Sequence, residues 1–427
     1  MPAIGAYDLK LRSFITSFRA ESAALWFLCF YIFIEYIRPQ SMYPVFDFLP
    51  WGQLAILACV ASVFMTKNKS QKFIFMDFLF VTFCIVVVLS IIFAWRADES
   101  LKMWATFTSW ALLYFCVISI LNTPNKIFLF VLFFIIINLK MSEFGARSFI
   151  LRGFSFTHWG VSGPPGWFRN SGELALQMGV MFSISLSVLL AFREYVVNKK
   201  RWWFLLILFP GTALLAVIAS SSRGGQLALA AVLLVFILKG PHLIRKLMII
   251  SALIFIVMQI FPDEQVERFS TMGEDGTSES RLVYWEVARD IIDKNPLGIG
   301  YNNWSGYYAS IYQPDRNVEE IHNSVYQAFV ELGYHGGILF LIMVVVALIM
   351  NARTVKDSQV IGGVDGLAIG AIARGVNLGL LATIIAGAFM SVLYYPMFWL
   401  AFALTSALRQ TARARLLEVN RSIVANT

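Results

Sequence analysis

Apolar residues in this chain come in long unbroken blocks. They show neither the strict alternation of a half-buried strand nor the narrow stripe of a soluble helix. The blocks run near Ser22–Ile37, Trp51–Thr66, Phe73–Trp95, Met103–Leu121, Ile127–Met141, Leu174–Phe192, Trp202–Ser220, Gly225–Leu238, Leu247–Phe261, Ser324–Met350, Ile372–Ser391 and Tyr394–Leu408. A helix needs about 20 such residues to cross a bilayer core. The pattern therefore predicts an all-α, polytopic membrane bundle of about twelve transmembrane helices, forming a single membrane domain over residues 1–427. The seventh and eighth blocks are divided at Ser221-Ser222-Arg223-Gly224-Gly225, because an Arg at the bilayer centre costs about 2.5–3.5 kcal/mol.

Polar residues mark the rest. Near the start, Lys10, Arg12 and Arg19 interleave with Leu11, Phe14, Ile15 and Phe18 at helical spacing. That reads as an interfacial amphipathic helix more than a signal peptide. Two long connectors stand out, 142–173 and 262–323. Connectors of this length are usually functional or disordered. The second is expected to be partly helical. Ser280 is placed to cap a helix near Arg281–Asp293, which Pro296, Gly298 and Gly300 would stop.

Composition fixes the environment. Of 427 residues, 58% are hydrophobic and 14% charged, against roughly 45–50% and about 25% in soluble domains. Mean hydropathy is +0.70. Disorder, a collagen-like fibre and a disulfide scaffold are excluded. The net charge of +8 would point to nucleic acid in a soluble protein. Here it follows the bias of Lys and Arg to cytoplasmic loops, so membrane lipids are the expected contacts and nucleic acid is not. Lys67, Lys69 and Lys72 share one side with Arg193, Lys199, Lys200 and Arg201, and with Arg409, Arg413 and Arg415. Both termini are thus expected in the cytoplasm, and both long connectors outside. Cys29, Cys59, Cys84 and Cys116 all lie in apolar blocks without metal-ligand spacing.

Five outer arginines carry candidate chemistry: Arg147, Arg152, Arg169, Arg223 and Arg281. The guanidinium fork binds phosphate in bidentate fashion and stays charged. Loop arginines also touch lipid headgroups. Arg223 differs, lying between two apolar blocks beside two glycines that admit a ligand to the backbone. His322 stands where the second connector meets an apolar block, and imidazole can take a proton from a hydroxyl. A capping or core histidine is the competing reading. Asn323 and Tyr326 are placed to orient that ring or bind sugar, or simply to pack. Glu331 and His335 are four apart, but HExxH is absent, so no metal is expected. His158 has no assigned role, and His242 reads as a cytoplasmic loop residue. There is no P-loop, no Asp-x-Asp in the outer connectors and no G-x-S-x-G elbow. The acidic run at 273–280 lacks calcium-loop spacing. No cofactor is implied.

Three stretches together resemble the O-antigen ligase/polymerase family. They are Ser-Ser-Arg-Gly-Gly-Gln-Leu-Ala-Leu at 221–229, Asn-Pro-Leu-Gly-Ile-Gly-Tyr at 295–301, and His-Asn-Ser-Val-Tyr-Gln-Ala-Phe-Val-Glu-Leu-Gly-Tyr-His-Gly-Gly at 322–337. The pair Arg281 and Trp285 ahead of Asn295 fits as well. Residues 163–175 are similar to the family's approach to a span, but depart from it in Pro164-Pro165 and Arg169. The resemblance covers about 163–350. It implies a membrane glycosyltransferase facing the periplasm from the bacterial inner membrane. The donor would be a glycan on undecaprenyl pyrophosphate, and the acceptor lipid A-core or another lipid-linked glycan. Arg223 and Arg281 would hold the pyrophosphate, with Arg147, Arg152 or Arg169 as a third partner. His322 would be the general base, and direct displacement at the anomeric carbon would invert it.

Two other classes compete. A lipid-linked oligosaccharide transporter suits twelve spans, yet no pseudo-symmetry between the halves is visible and few charges lie in mid-span. A non-catalytic envelope scaffold would tolerate loss of Arg223 and His322. The charge pattern yields a direct test of topology. A cysteine introduced at Thr277 should label from outside the membrane, and one at Ser70 from the cytoplasm. Labelling of Thr277→Cys from the cytoplasm alone would reverse the orientation and take the site assignment with it.

Overall fold

The computed structural model describes residues 5–65, 72–156, 160–196, 198–238, 248, 276–312 and 320–425. It is all-helical, with 81% helix and no strand among the described residues. The principal helices are α1 (Leu11–Arg19), α2 (Ala23–Ile37), α3 (Trp51–Met65), α4 (Phe75–Ile92), α5 (Trp104–Ile120), α6 (Pro124–Leu151), α7 (Ser171–Ala191), α8 (Lys199–Leu206), α9 (Thr212–Ala219), α10 (Arg223–Leu238), α11 (Gly276–Lys294), α12 (Trp304–Ile311), α13 (Ser324–Ile361), α14 (Gly363–Gly387) and α15 (Pro396–Ala425).

Six helices are long and apolar enough to cross a membrane, counting α8 and α9 as one run over Lys199–Ala219. Among the described residues this supports a helical membrane protein, with six of the expected twelve spans matched on length and composition. α3, α5 and α10 are apolar but shorter than 18 residues. The expected ninth span, Leu247–Phe261, lies outside the described residues but for position 248, as do His158, His242 and the stretches 262–275 and 313–319 of the second connector. The α8–α9 run changes pitch through a π turn at Ile207–Gly211, which contains Pro210. Proline has no N–H to donate and crowds the preceding turn, so the ladder widens there. The separation of α9 from α10 at Ser220–Ser222 agrees with the division read from the sequence.

Small residues set the tightest packing. α14 carries Gly366 and Gly370, then Gly375 and Gly379, each pair four residues apart. Gly375 lies against the backbone of Ile184 in α7. Such spacing lets two backbones approach closely where lipid supplies no hydrophobic drive. One buried carboxylate inside the bundle is well matched. Asp77 accepts from the Ile74 amide (2.8 Å), the Tyr114 hydroxyl (2.7 Å), the Gln410 amide (3.0 Å) and the Ser406 hydroxyl, which joins α4, α5 and α15. At the end of the bundle bearing α1, Arg415 pairs with Asp365 at 2.7 Å, and Arg409 with Asp357.

α11 begins at Gly276, ahead of the expected Ser280 cap, and two further differences from the sequence reading bear on the site. α6 continues ten residues past Met141 to Leu151, so Arg147 stands on a helix and not in a loop. The apolar block ends at Met141, but Gly145 packs on Ala216 of α9 and Glu143 pairs with Arg147 at 3.0 Å, which carries the helix on. The second difference is in α13, where Gly333 has φ +70° and breaks the helix. The carbonyls of Val330 and Glu331 turn out of the ladder. They accept from the amides of Ile299 (2.9 Å) and Gly300 (3.0 Å), while the Tyr334 amide donates to Pro296 (3.0 Å). The segment 295–301 thus supplies the partners that a broken helix loses. Above it, Tyr284, Ile291, Trp304, Tyr308 and Ile321 form a second apolar cluster that seats α11 and α12 on α13.

Gly333 has no room for a side chain. A Cβ would run into Leu297 and Gly298, and the left-handed backbone adds roughly 1–2 kcal/mol of strain for an L-residue. Gly333→Ala should therefore lower the thermal unfolding midpoint in detergent and loosen the 295–301 segment to proteolysis. An unchanged midpoint and unchanged cleavage would show that this junction does not hold the two segments together.

Candidate functional site

Three helix starts meet at one end of the bundle, around the turn between α14 and α15. α7 begins with a capping arrangement in which the Asn170 amide donates to the Glu173 carboxylate at 3.2 Å. α10 begins with Arg223 itself. α13 begins behind Asn323, whose side-chain oxygen accepts from the amides of Val325 (2.9 Å) and Tyr326 (3.0 Å). The first-turn N–H groups of a helix favour negative charge, so three of them together make this end receptive to an anion.

The turn at 388–395 joins these starts. A Cβ built on Gly172, in the first turn of α7, would lie 2.8 Å from Met390 and 3.6 Å from the Ser222 hydroxyl. Gly224 faces Phe389 in the same way, at 3.2 Å. The turn therefore lies directly against the segment that carries Arg223. On its other side it holds the start of α13. Ser324 donates to the Met390 carbonyl (2.7 Å) and accepts from the Val392 amide (3.0 Å). The His322 amide donates to the Ser391 hydroxyl at 3.0 Å. Tyr394 donates to Glu331 and Tyr395 to Glu173, both at 2.6 Å. The segments bearing Arg223 and His322, a hundred residues apart in sequence, thus contact consecutive residues of one turn.

His322 is half-buried, with φ +55°. Arg223 and Arg281 are also half-buried. Arg281 lies one turn before Trp285 on α11, and Trp285 donates its ring N–H to the Ile321 carbonyl at 3.0 Å. That bond holds the residue just before His322 and sets Arg281 on the same helix face. Tyr326 accepts from the Arg289 guanidinium at 2.9 Å, and its ring lies 6.1 Å from that of Trp285. The polar atoms of Asn323, Tyr326 and Trp285 are thus engaged in capping and in bracing α11 against α13. Arg169 is exposed immediately before the α7 cap. Arg147 and Arg152 are exposed at the end of α6, with Arg147 paired to Glu143. Glu331 is buried, bonded to Tyr394 and to the Trp304 amide (3.3 Å). His335 lies beyond the break at Gly333 on the exposed side.

The sequence reading overlooked the turn at 388–395, together with Glu173 and Glu320. The only signal was the short gap before Pro396 between two apolar blocks. Glu320 keeps contact with solvent yet sits among crowded protein atoms. Burial pushes its carboxyl above the ordinary value. The Ser391 hydroxyl acts against that shift, and the charge of Glu173 adds to it.

No curated protein matches the chain. Residues 211–341 match the family model described as O-Antigen ligase. The matched segment runs from the π turn to beyond the break in α13 and contains Arg223, Arg281 and His322. Over that segment, under half of its length, the chain is similar to the O-antigen ligase family.

Proposed function

We propose that this protein is a glycosyltransferase of the bacterial inner membrane with its site facing the periplasm and both termini in the cytoplasm. It moves a glycan from undecaprenyl pyrophosphate to an acceptor hydroxyl on lipid A-core or on another lipid-linked glycan. The observation that carries the proposal is the meeting of the Arg223 and His322 segments on one turn, inside the O-antigen ligase match. Outside the cytoplasm there is no nucleotide to activate a sugar, so the donor must bring its own leaving group.

In this reading His322 takes the proton of the acceptor hydroxyl as its oxygen attacks the anomeric carbon. The bond from that carbon to the pyrophosphate oxygen breaks, and the electron pair leaves with the lipid pyrophosphate. Attack opposite the leaving group inverts the anomeric centre. Arg223 and Arg281 meet the charge that gathers on the departing phosphate, aided by the helix starts around them. Arg169 stands nearest the α7 start and is the best placed third cation. Arg147 and Arg152 are more remote choices, since Arg147 already has Glu143.

Two measurements test this reading, in a purified system with an undecaprenyl-pyrophosphate-linked glycan as donor. Lipid A-core and a lipid-linked repeat unit serve as parallel acceptors. Hydrogen bonds to charged groups contribute about 1.5–3 kcal/mol. Arg223→Ala should therefore reduce transfer roughly tenfold to hundredfold, and Arg223→Lys should recover little because it lacks the fork. General base catalysis is worth about 10²–10⁴-fold, so His322→Gln should all but abolish transfer while donor binding persists. Normal turnover by both variants would remove Arg223 and His322 from the site, whereas no transfer by the wild-type protein would point to a scaffold instead.

A further inference from the structure

His322 is held in a backbone conformation that L-residues seldom adopt, with φ +55°. Such a conformation persists only where its surroundings fix it. One side-chain partner of the His322 backbone comes from far along the chain: its amide donates to the Ser391 hydroxyl at 3.0 Å. The neighbouring contacts make Ser391 a firm anchor. Ser324 fastens the residues on either side of it, Met390 and Val392. Tyr395, further along the same turn, is tied to Glu173 at 2.6 Å.

We propose that Ser391 is a positioning residue for His322, its hydroxyl fixing the left-handed backbone from which the imidazole meets the acceptor. Glu320 completes the device. The Ser391 hydroxyl favours the charged form of the Glu320 carboxyl against the upward push of burial, so the same serine bears on both residues. The chain runs from the His322 amide to the Ser391 oxygen, and from the Ser391 hydroxyl to Glu320. The inference rests on His322 acting as the general base.

A displacement of about 1 Å at a reacting group can cost on the order of a hundredfold in rate. Ser391→Ala should thus lower kcat roughly tenfold to hundredfold, with KM for donor and acceptor little changed. Ser391→Thr keeps a hydroxyl and should restore most of the rate. Glu320→Ala should lower kcat in the same direction. The Ser391→Ala/Glu320→Ala double variant should be no slower than Ser391→Ala alone, because residues acting through one chain are not additive. His322→Gln is measured beside them. If it is inactive while Ser391→Ala keeps the wild-type kcat, the positioning role is overturned and the base assignment stands. Equal rates for Ser391→Thr and Ser391→Ala in equally folded protein would also overturn it. So would fully additive losses in the double variant. If His322→Gln turns over normally, the base assignment falls and the positioning role falls with it.

Discussion

Within an apolar surrounding each backbone N–H and C=O must find a partner in the protein itself. The architecture turns on one place where that demand becomes acute. At Gly333 the helix α13 breaks, and two carbonyls that would have bonded within it face outward. The segment 295–301 answers them with the amides of Ile299 and Gly300. This exchange pins the outer layer, because α11 lies just before that segment and α12 just after it. From there the Trp285 bond to Ile321 reaches the start of α13. A break that would weaken an isolated helix here couples a helix to its cap.

The same logic explains why the candidate site sits at a turn. Three helix starts, each with side-chain caps on first-turn amides, lie at one end of the bundle, and the 388–395 turn threads among them. Serines, a glutamate and tyrosines take up the polar groups without filling the space with charge. Half-buried arginines then add positive potential to a region that already favours anions. The phosphate recognition proposed for this arrangement would need no single dedicated loop. It would emerge from several elements that are each only partly satisfied.

Much of this was legible from the order of residues. Long apolar blocks announced a helical membrane protein, and Ser-Ser-Arg-Gly-Gly marked a division that α9 and α10 obey. Arg223 and His322 could be singled out because each is a functional residue type at the edge of an apolar block. The expected spans are matched only in part among the described residues, since α3, α5 and α10 are apolar but shorter than 18 residues. The end of α6 was missed because Glu143, Gly145 and Arg147 extend it by pairing and packing, not by hydrophobicity. Ser391 and Glu173 were invisible for a deeper reason. Their partners, His322 and Tyr395, lie 69 and 222 residues away, and nothing local distinguishes such a serine or glutamate from any other.

The late position of the 388–395 turn has a bearing on biosynthesis. A ribosome delivers Arg223 and His322 to the membrane well before the turn that joins them. Until α14 and α15 have been inserted, the Arg223 segment and the start of α13 lack the turn that contacts them both. A nascent or truncated chain would therefore present arginines and a histidine without their common support. Assembly order thus follows from the place of the turn, since the two segments are braced together only once α14 and α15 are in position.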